Sequence, residues 1–242
     1  LTDKLCVLIN TIVVVRLISD TEYGLIVLIA SVFAFFAPLT GLGSYQGLLR
    51  YGSIQQEKEQ KDSLSQYVLK KGLLNHLLVT LLYLIISMIY AFKYDQIIPV
   101  ILFFCIRFIG FYFFNYIQSN YRMRGNNTAF SLLTLTVSIF GLLSAIILTY
   151  LYGYMGYLLA MALAPWVSLF FFKSPVSTEK KAKFTFSKKE FWSYSFHASI
   201  TYFLSEILFS LDFFFIGFLL DEKSIAFYKT AVIIPMNLMF LP

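Results

Sequence analysis

The chain has 242 residues, of which 59% are hydrophobic and only 13% charged, and its mean hydropathy is +0.74. Soluble domains carry about 25% charged residues, so an ordinary water-soluble globule is excluded. The composition is that of an all-α, multi-pass membrane protein, and the net charge of +6 has to be read against that topology.

A helix needs about 20 mostly apolar residues to cross a bilayer. In chain order the candidate spans are 5–17, 23–49, 73–92, 97–119, 128–151, 156–172 and 191–220, with an eighth beginning near 225. Runs such as LLVTLLYLIISMIYAF lack the alternation of a barrel strand, and a long apolar run in lipid has to satisfy its own backbone as helix. The first span is short, and the chain stops inside the eighth. Without an initiating Met or a cleavable signal, it reads as a C-terminally truncated fragment of a longer, transporter-sized chain.

The loops between spans are not alike. One set holds Arg50, Lys58, Lys61, Lys70, Lys71, Arg122, Arg124, Lys173, Lys180, Lys181, Lys183, Lys188 and Lys189, whereas the alternate set holds only Lys93 and Lys223. The positive-inside rule places the first set, and the N-terminus, in the cytoplasm. Topology therefore accounts for the positive charge, and no nucleic-acid partner is needed. Both cysteines, Cys6 and Cys105, fall within apolar spans, as buried small hydrophobes do; neither a metal site nor a disulfide is expected. NNT at 126–128 fits a glycosylation sequon but lies in a basic-side loop.

Two elbows repeat. RLISDTEYGL (16–25) and FLLDEKSIAF (218–227) both leave an apolar run, place four polar residues, and re-enter apolar sequence through a small one. Ser19 and Glu22 have the spacing of a capping box, and Asp221 and Ser224 hold the corresponding places in the second copy. Six spans separate the copies, so both elbows lie on one side. That is the signature of a parallel repeat of six-helix units.

At helical periodicity, His76, Thr80, Tyr83, Ser87 and Tyr90 share a stripe in the third span, and Arg107, Phe111, Asn115 and Gln118 share one in the fourth. Ser131, Thr134, Ser138 and Thr149 align in the fifth. In the seventh, His197, Thr201, Ser205 and Asp212 share a face, with Glu206 and Ser210 on the other side. These stripes suggest a wet cavity, although small polar residues also serve as ordinary helix-packing glue and a histidine can be a satisfied structural hydrogen-bonder. Arg107 lies mid-span, where a charge costs at least about 2.5 kcal/mol; it faces either a cavity or a salt-bridge partner such as Asp212 or Glu206. Arg50 lies at the inner mouth of the second span, Arg16 at the outer end of the first and Lys229 early in the eighth. Interface anchoring is the alternative reading of Arg16 and Arg50. Tyr150, Tyr152, Tyr154, Tyr157 and Trp192 read as an interfacial aromatic belt.

The elbow RLISDTEYGL, GLGSYQGLLRYG (41–52), YRMRGNNTAF (121–130) and SLDFFFIGFLLDEKSIAFYKTAVIIP (210–235) together resemble the Wzx-type polysaccharide (O-antigen) flippases of the multidrug/oligosaccharidyl-lipid/polysaccharide superfamily. The resemblance implies two six-helix lobes across a central cavity. Residues 1–172 would form the N-lobe, 173–190 a basic cytoplasmic linker, and 191–242 the start of the C-lobe. It also implies a plasma-membrane transporter that carries an undecaprenyl-diphosphate-linked glycan between leaflets by alternating access, alongside other polysaccharide-assembly proteins. Under it, Arg50, Arg107, Arg16 and Lys229 become candidates for the diphosphate, and Asp212, Glu206, His197 and His76 candidates for ion coupling or cavity lining. No catalytic constellation, metal site or cofactor is expected. A membrane polymerase or glycosyltransferase is one alternative, but it would carry a long outer loop; a drug or cation exporter is the other, but it would show an acidic cavity.

Overall fold

The computed structural model describes residues 9–173, 184 and 186–238, with side chains to Val232 except that of Phe209. Cys6, Lys180, Lys181 and Lys183 lie outside the described residues. The helices are α1 (9–14), α2 (Asp20–Phe36), α3 (Ser44–Ile54), α4 (Lys58–Met88), α5 (Ile97–Met123), α6 (Asn127–Leu163), α7 (Lys188–Leu219) and α8 (Glu222–Leu238). Helical turns of 3₁₀ type extend α4 through Phe92 and α6 through Phe171. Among the described residues the secondary structure is helical. Asp20–Ile54, Lys58–Phe92, Ile97–Met123 and Asn127–Phe171 are each long and apolar enough to cross a membrane. Lys188–Leu208 and Ser210–Leu219 form a fifth, bent by 57°.

Asn127–Phe171 is not one straight rod. Gly153 takes φ 58°, ψ −140°, and beyond it the chain runs back along itself. A Cβ at Gly141 would touch that of Ala164 at 3.4 Å, and one at Gly156 would strike the Leu148 carbonyl. In a straight helix residues 148 and 156 would lie about 12 Å apart. The two spans expected at 128–151 and 156–172 are thus the arms of a hairpin. Tyr121 Oη donates to Phe171 O (2.7 Å) and Gln118 Nε2 to Thr134 Oγ1 (3.2 Å), which holds both open ends of the hairpin against the end of α5.

The second span, expected to be continuous over 23–49, is broken. Pro38 ends the α2 run, and Gly41, Leu42 and Gly43 all have positive φ. The carbonyl that Pro38 can no longer give to a regular helix accepts from Ser199 Oγ on α7 (2.7 Å). The break lets α3 lie close against its neighbours. A Cβ at Gly43 would strike the Ser195 backbone, and one at Gly47 the Ser195 and Phe191 side chains.

The third span is longer than hydropathy suggests. Residues 58–71 are polar, but helix formers fill them and neither Gly nor Pro interrupts them before Gly72. Part of the expected basic loop is therefore helix. There Arg124 Nη2 meets Asp62 Oδ1 at 2.6 Å, the ion pair among the described residues, and Arg124 Nε donates to Asn120 Oδ1 (3.0 Å).

The two elbows meet. Ser19 and Glu22 form the expected capping box, and Asp221 Oδ1 accepts from Ser224 N (2.8 Å). Those bonds from the Ser224 side chain and backbone hold the Asp221 carboxyl below the usual carboxylate range. A Cβ at Gly24 would collide with the Glu222 carbonyl, and one at Gly217 with the Leu28 side chain. At the same end the short α4–α5 loop closes over α7. Lys93 Nζ donates to the carbonyls of Gly217 (3.2 Å), Phe218 (3.0 Å) and Leu220 (2.5 Å), and Tyr94 Oη to that of Gly217 (2.9 Å). Burial, with the Glu222 and Asp221 carboxylates nearby, pushes the Tyr94 phenol up to about 12, so it stays a donor at neutral pH.

Gly24→Ala tests the elbow contact. The added methyl has only backbone to displace, and overpacking of this kind costs about 1–3 kcal/mol. Thermal unfolding in detergent should fall by several degrees, whereas Gly125→Ala, with open space around it but also a positive φ (71°), should fall less. Equal midpoints for wild type and Gly24→Ala would contradict the packing.

Candidate functional site: a central polar cavity

A cavity of about 1060 Å³ lies among α1, α2, α5, both arms of α6, α7 and α8. Its walls are largely apolar, with Val27, Ala30, Phe111, Leu142 and Phe213 among them, and its polar lining includes Asn10, Ser31, Gln118, Thr134 and Ser138. Three charged side chains face it: Arg107 from α5, Glu206 from α7 and Lys229 from α8.

Arg107 is held from below and to one side. Its guanidinium lies 5.5 Å from the Phe33 ring centroid and 5.9 Å from that of Phe104, and Nη1 donates to Met161 O at 2.9 Å. That carbonyl is free for a specific reason. Its regular helical donor would be the N–H four residues on, and Pro165 has none. A guanidinium carries five N–H donors, so this bond leaves others for the cavity. Arg107 pairs with neither Asp212 nor Glu206; the ion pair among the described residues is Arg124–Asp62. Lys229 Nζ lies 5.0 Å from the Phe213 ring centroid.

The other sequence candidates fall elsewhere. His76 is fully buried between α4 and α5, where it stacks on Tyr112 (5.2 Å, 17°) and donates from Nε2 to Phe108 O (2.9 Å). Thr80, Tyr83, Ser87 and Tyr90 are buried along the same face. The polar stripe of the third span is a packing seam, not cavity wall, because α4 turns its small and aromatic residues to α5 and its leucines to lipid. The seventh span is divided as helical periodicity suggests, but its wet side is the Glu206–Ser210 side. His197 and Asp212 are exposed outside the cavity. His197 Nδ1 bonds the Ser193 carbonyl (2.6 Å), and Asp212 Oδ2 accepts from Tyr228 Oη (2.7 Å).

Arg16 and Arg50 are exposed at opposite ends of the helices and line no part of the cavity; Arg50 stacks on the Tyr194 ring at 4.3 Å. Tyr150 and Tyr152 are exposed as a belt requires, but Tyr154 and Tyr157 are buried at 8% and 6%, and Tyr157 lines the cavity. Asn10, joined to Tyr157 at 3.4 Å, was not singled out by sequence, and Tyr157 was read there only as part of the belt. Asn10 is a polar residue within a short apolar run, which was the available signal.

These features define a class: a multi-pass helical membrane protein with broken spans around a polar, charge-bearing cavity. Residues 1–240 match the family described as polysaccharide biosynthesis protein, and the chain belongs to that family. Its fold is shared by a solved structure described as the inward-facing conformation of a multidrug resistance MATE family transporter of the MOP superfamily. The TM-score is 0.67 at 19% sequence identity, over 97% of this chain and 58% of that one. The chain thus spans little more than half the length of the protein it resembles. No curated protein sequence matches it.

Water access separates cavity from lipid face. In a background with Cys6 and Cys105 replaced by Ala, cysteines at Ala30 and Ala164, which line the cavity, should react with a small water-soluble thiol reagent in detergent-free membranes. A cysteine at Leu78, 62% exposed on the outer face of α4, should react at least tenfold more slowly. Equal rates at the three positions would remove the aqueous cavity.

Proposed function

We propose that the chain forms the N-lobe (1–172), the basic linker (173–190) and the start of the C-lobe of a transporter. Its substrate is a lipid-diphosphate-linked oligosaccharide, moved from the cytoplasmic to the outer leaflet of the plasma membrane for surface polysaccharide biosynthesis. The observation that carries this reading is the cavity itself, where Arg107 and Lys229 oppose the single carboxylate of Glu206. A doubly charged anion cannot enter the bilayer core unpaired, and cations at cavity depth provide charge-assisted partners. Gln118, Thr134, Ser138 and Asn10 supply the neutral hydrogen-bonding surface that a sugar needs.

In this scheme Arg50, at the basic end, meets the headgroup first, Arg107 and Lys229 hold it in the cavity, and Arg16 lies on the exit side. Glu206 is the ion-coupling group, since it is the acid that faces the cavity. The Lys93–Tyr94 clamp on α7 keeps the end away from the basic loops closed, and it opens when the lobes rock. No nucleotide takes part. An exporter of cationic drugs is less well served, because the cavity's own charges sum to positive.

Complementation of surface polysaccharide by the full-length gene, with protein levels checked by blot, tests the site. Losing a partly buried cation should weaken the transition by about 1.5–3 kcal/mol. Arg107→Ala and Lys229→Gln should therefore restore little polysaccharide, and Arg107→Lys should restore more than Arg107→Ala. Wild-type levels in both charge-removing variants would make the cations structural and overturn the substrate.

Orientation has its own test. In the Cys6/Cys105-free background, a cysteine at Asp95 should react with a membrane-impermeant thiol reagent in intact cells, and one at Gln56 should react only after lysis. The reverse pattern would invert the topology and the direction of transport.

A further inference from the structure

We propose that a second, lateral groove binds the phosphate of an anionic phospholipid. The groove, of about 410 Å³, lies between α4 and α7 and is lined by Leu42, Tyr67, Lys71, Asn75, Trp192 and Phe196. It shares no lining residue with the central cavity, so a substrate bound there would not be on its way through that cavity wall.

Its depth in the membrane follows from α4. The helix carries its Lys, Glu and Asp residues between Lys58 and Lys71, and none from Leu73 through Phe92. Leu74, Leu77 and Leu78 are 53%, 45% and 62% exposed, and Phe196 across the groove is 47% exposed. Lys71 and Asn75, one turn apart, therefore straddle the boundary between headgroups and hydrocarbon. Among the described residues neither has a hydrogen-bond or ion-pair partner. Lys71 is exposed and Asn75 half-buried, so the ammonium can reach the headgroup level with the amide one turn deeper. Together they offer donors on one side of a concave surface.

The walls are fixed and suit a lipid. Trp192 Nε1 donates to Tyr67 Oη (2.7 Å), and Lys188 Nζ lies 5.4 Å from the Tyr67 ring centroid. Trp and Tyr favour the level where headgroups meet acyl chains. The lining holds a cation and no acid, which favours a headgroup of net negative charge over a zwitterionic one. The phosphodiester would accept from Lys71 Nζ and the Asn75 amide, while the acyl chains lie along the exposed leucines of α4. Basic grooves between helices at the headgroup level recognise anionic lipids in this manner.

The chain has two tryptophans, which makes the site readable. In a Trp166→Phe background, Trp192 fluorescence is measured in lipid nanodiscs doped with phosphatidylglycerol or phosphatidylcholine brominated near the glycerol end of the chains. Phosphatidylglycerol should quench at about fivefold lower mole fraction. Lys71→Gln should abolish the difference without changing the unfolding temperature, and Lys71→Arg should keep it. Equal quenching by the two lipids, or a preference that survives Lys71→Gln, would overturn the proposal. So would relief of quenching by a few mole per cent of undecaprenyl phosphate, which would assign the groove to the carrier lipid instead.

Discussion

Inside a bilayer, a helix that stops or bends exposes carbonyls that water cannot reach, each costing several kcal/mol if left unpaired. This protein bends often, and its tertiary structure depends on answering those carbonyls with side chains from distant parts of the chain. Ser199 answers Pro38, Tyr121 answers Phe171, and Arg107 answers the Met161 carbonyl that Pro165 leaves free. Lys93 with Tyr94 covers the end of α7, and Trp166 Nε1 adds a bond to Ile106 O (3.0 Å) in the uninterrupted middle of α5. Each repair joins two elements, so the backbone breaks that shape the cavity also fix which helices surround it.

Close approach is the companion constraint. Lipid-facing helices gain little hydrophobic energy from one another, and small residues at crossings recover it as van der Waals contact. Gly24 and Gly217 let α2 reach α8 and α7, and Gly41, Gly43, Gly47 and Gly72 let the broken second span nest among α4, α5 and α7. Where aromatics replace glycine the packing is edge to face, as for Phe33 against Phe104, Phe108 and Phe111. Phe33 also meets the Arg107 guanidinium, so the packing core and the cavity charge share one side chain.

Hydropathy located the long apolar segments, since apolar length is a direct physical requirement, but not the break at Ala37–Gly43. Of the expected first span the described residues are helical only over 9–14. Capping chemistry located both elbows. The similar sequences of the two elbows did not say that Gly24 rests on Glu222; a contact between distant segments leaves no local mark. The start of α4 was missed because Lys58–Lys71 is too charged to pass as a span, although Leu64 and Val68, four residues apart and both buried, already mark an apolar stripe on a helix. Periodicity correctly grouped His76 with Thr80 and Tyr83, yet it could not say whether the shared face met water or α5. For Glu206 and Asp212 the same periodicity separated two faces, and only the placement of α8 decided which was wet. The signal for Arg107's partner was present as Ala164–Pro165–Trp166: a proline within a span implies an orphaned carbonyl four residues earlier.

Arg107 shows how a costly charge is retained at mid-membrane. Its position would be unfavourable in lipid, but the Met161 carbonyl, two aromatic faces and the open cavity beside it replace contacts that lipid would deny it. The carbonyl belongs to the second arm of the α6 hairpin, whereas Phe33 belongs to α2. A shift of either element would change how many guanidinium donors remain for the cavity. Conversely, an anion drawn to those donors would pull on the hairpin and on α2 together. The cavity's buried cation is therefore tied to two of the elements that wall it, the α6 hairpin and α2, and a link of this kind lets occupancy of a cavity alter the balance between conformations.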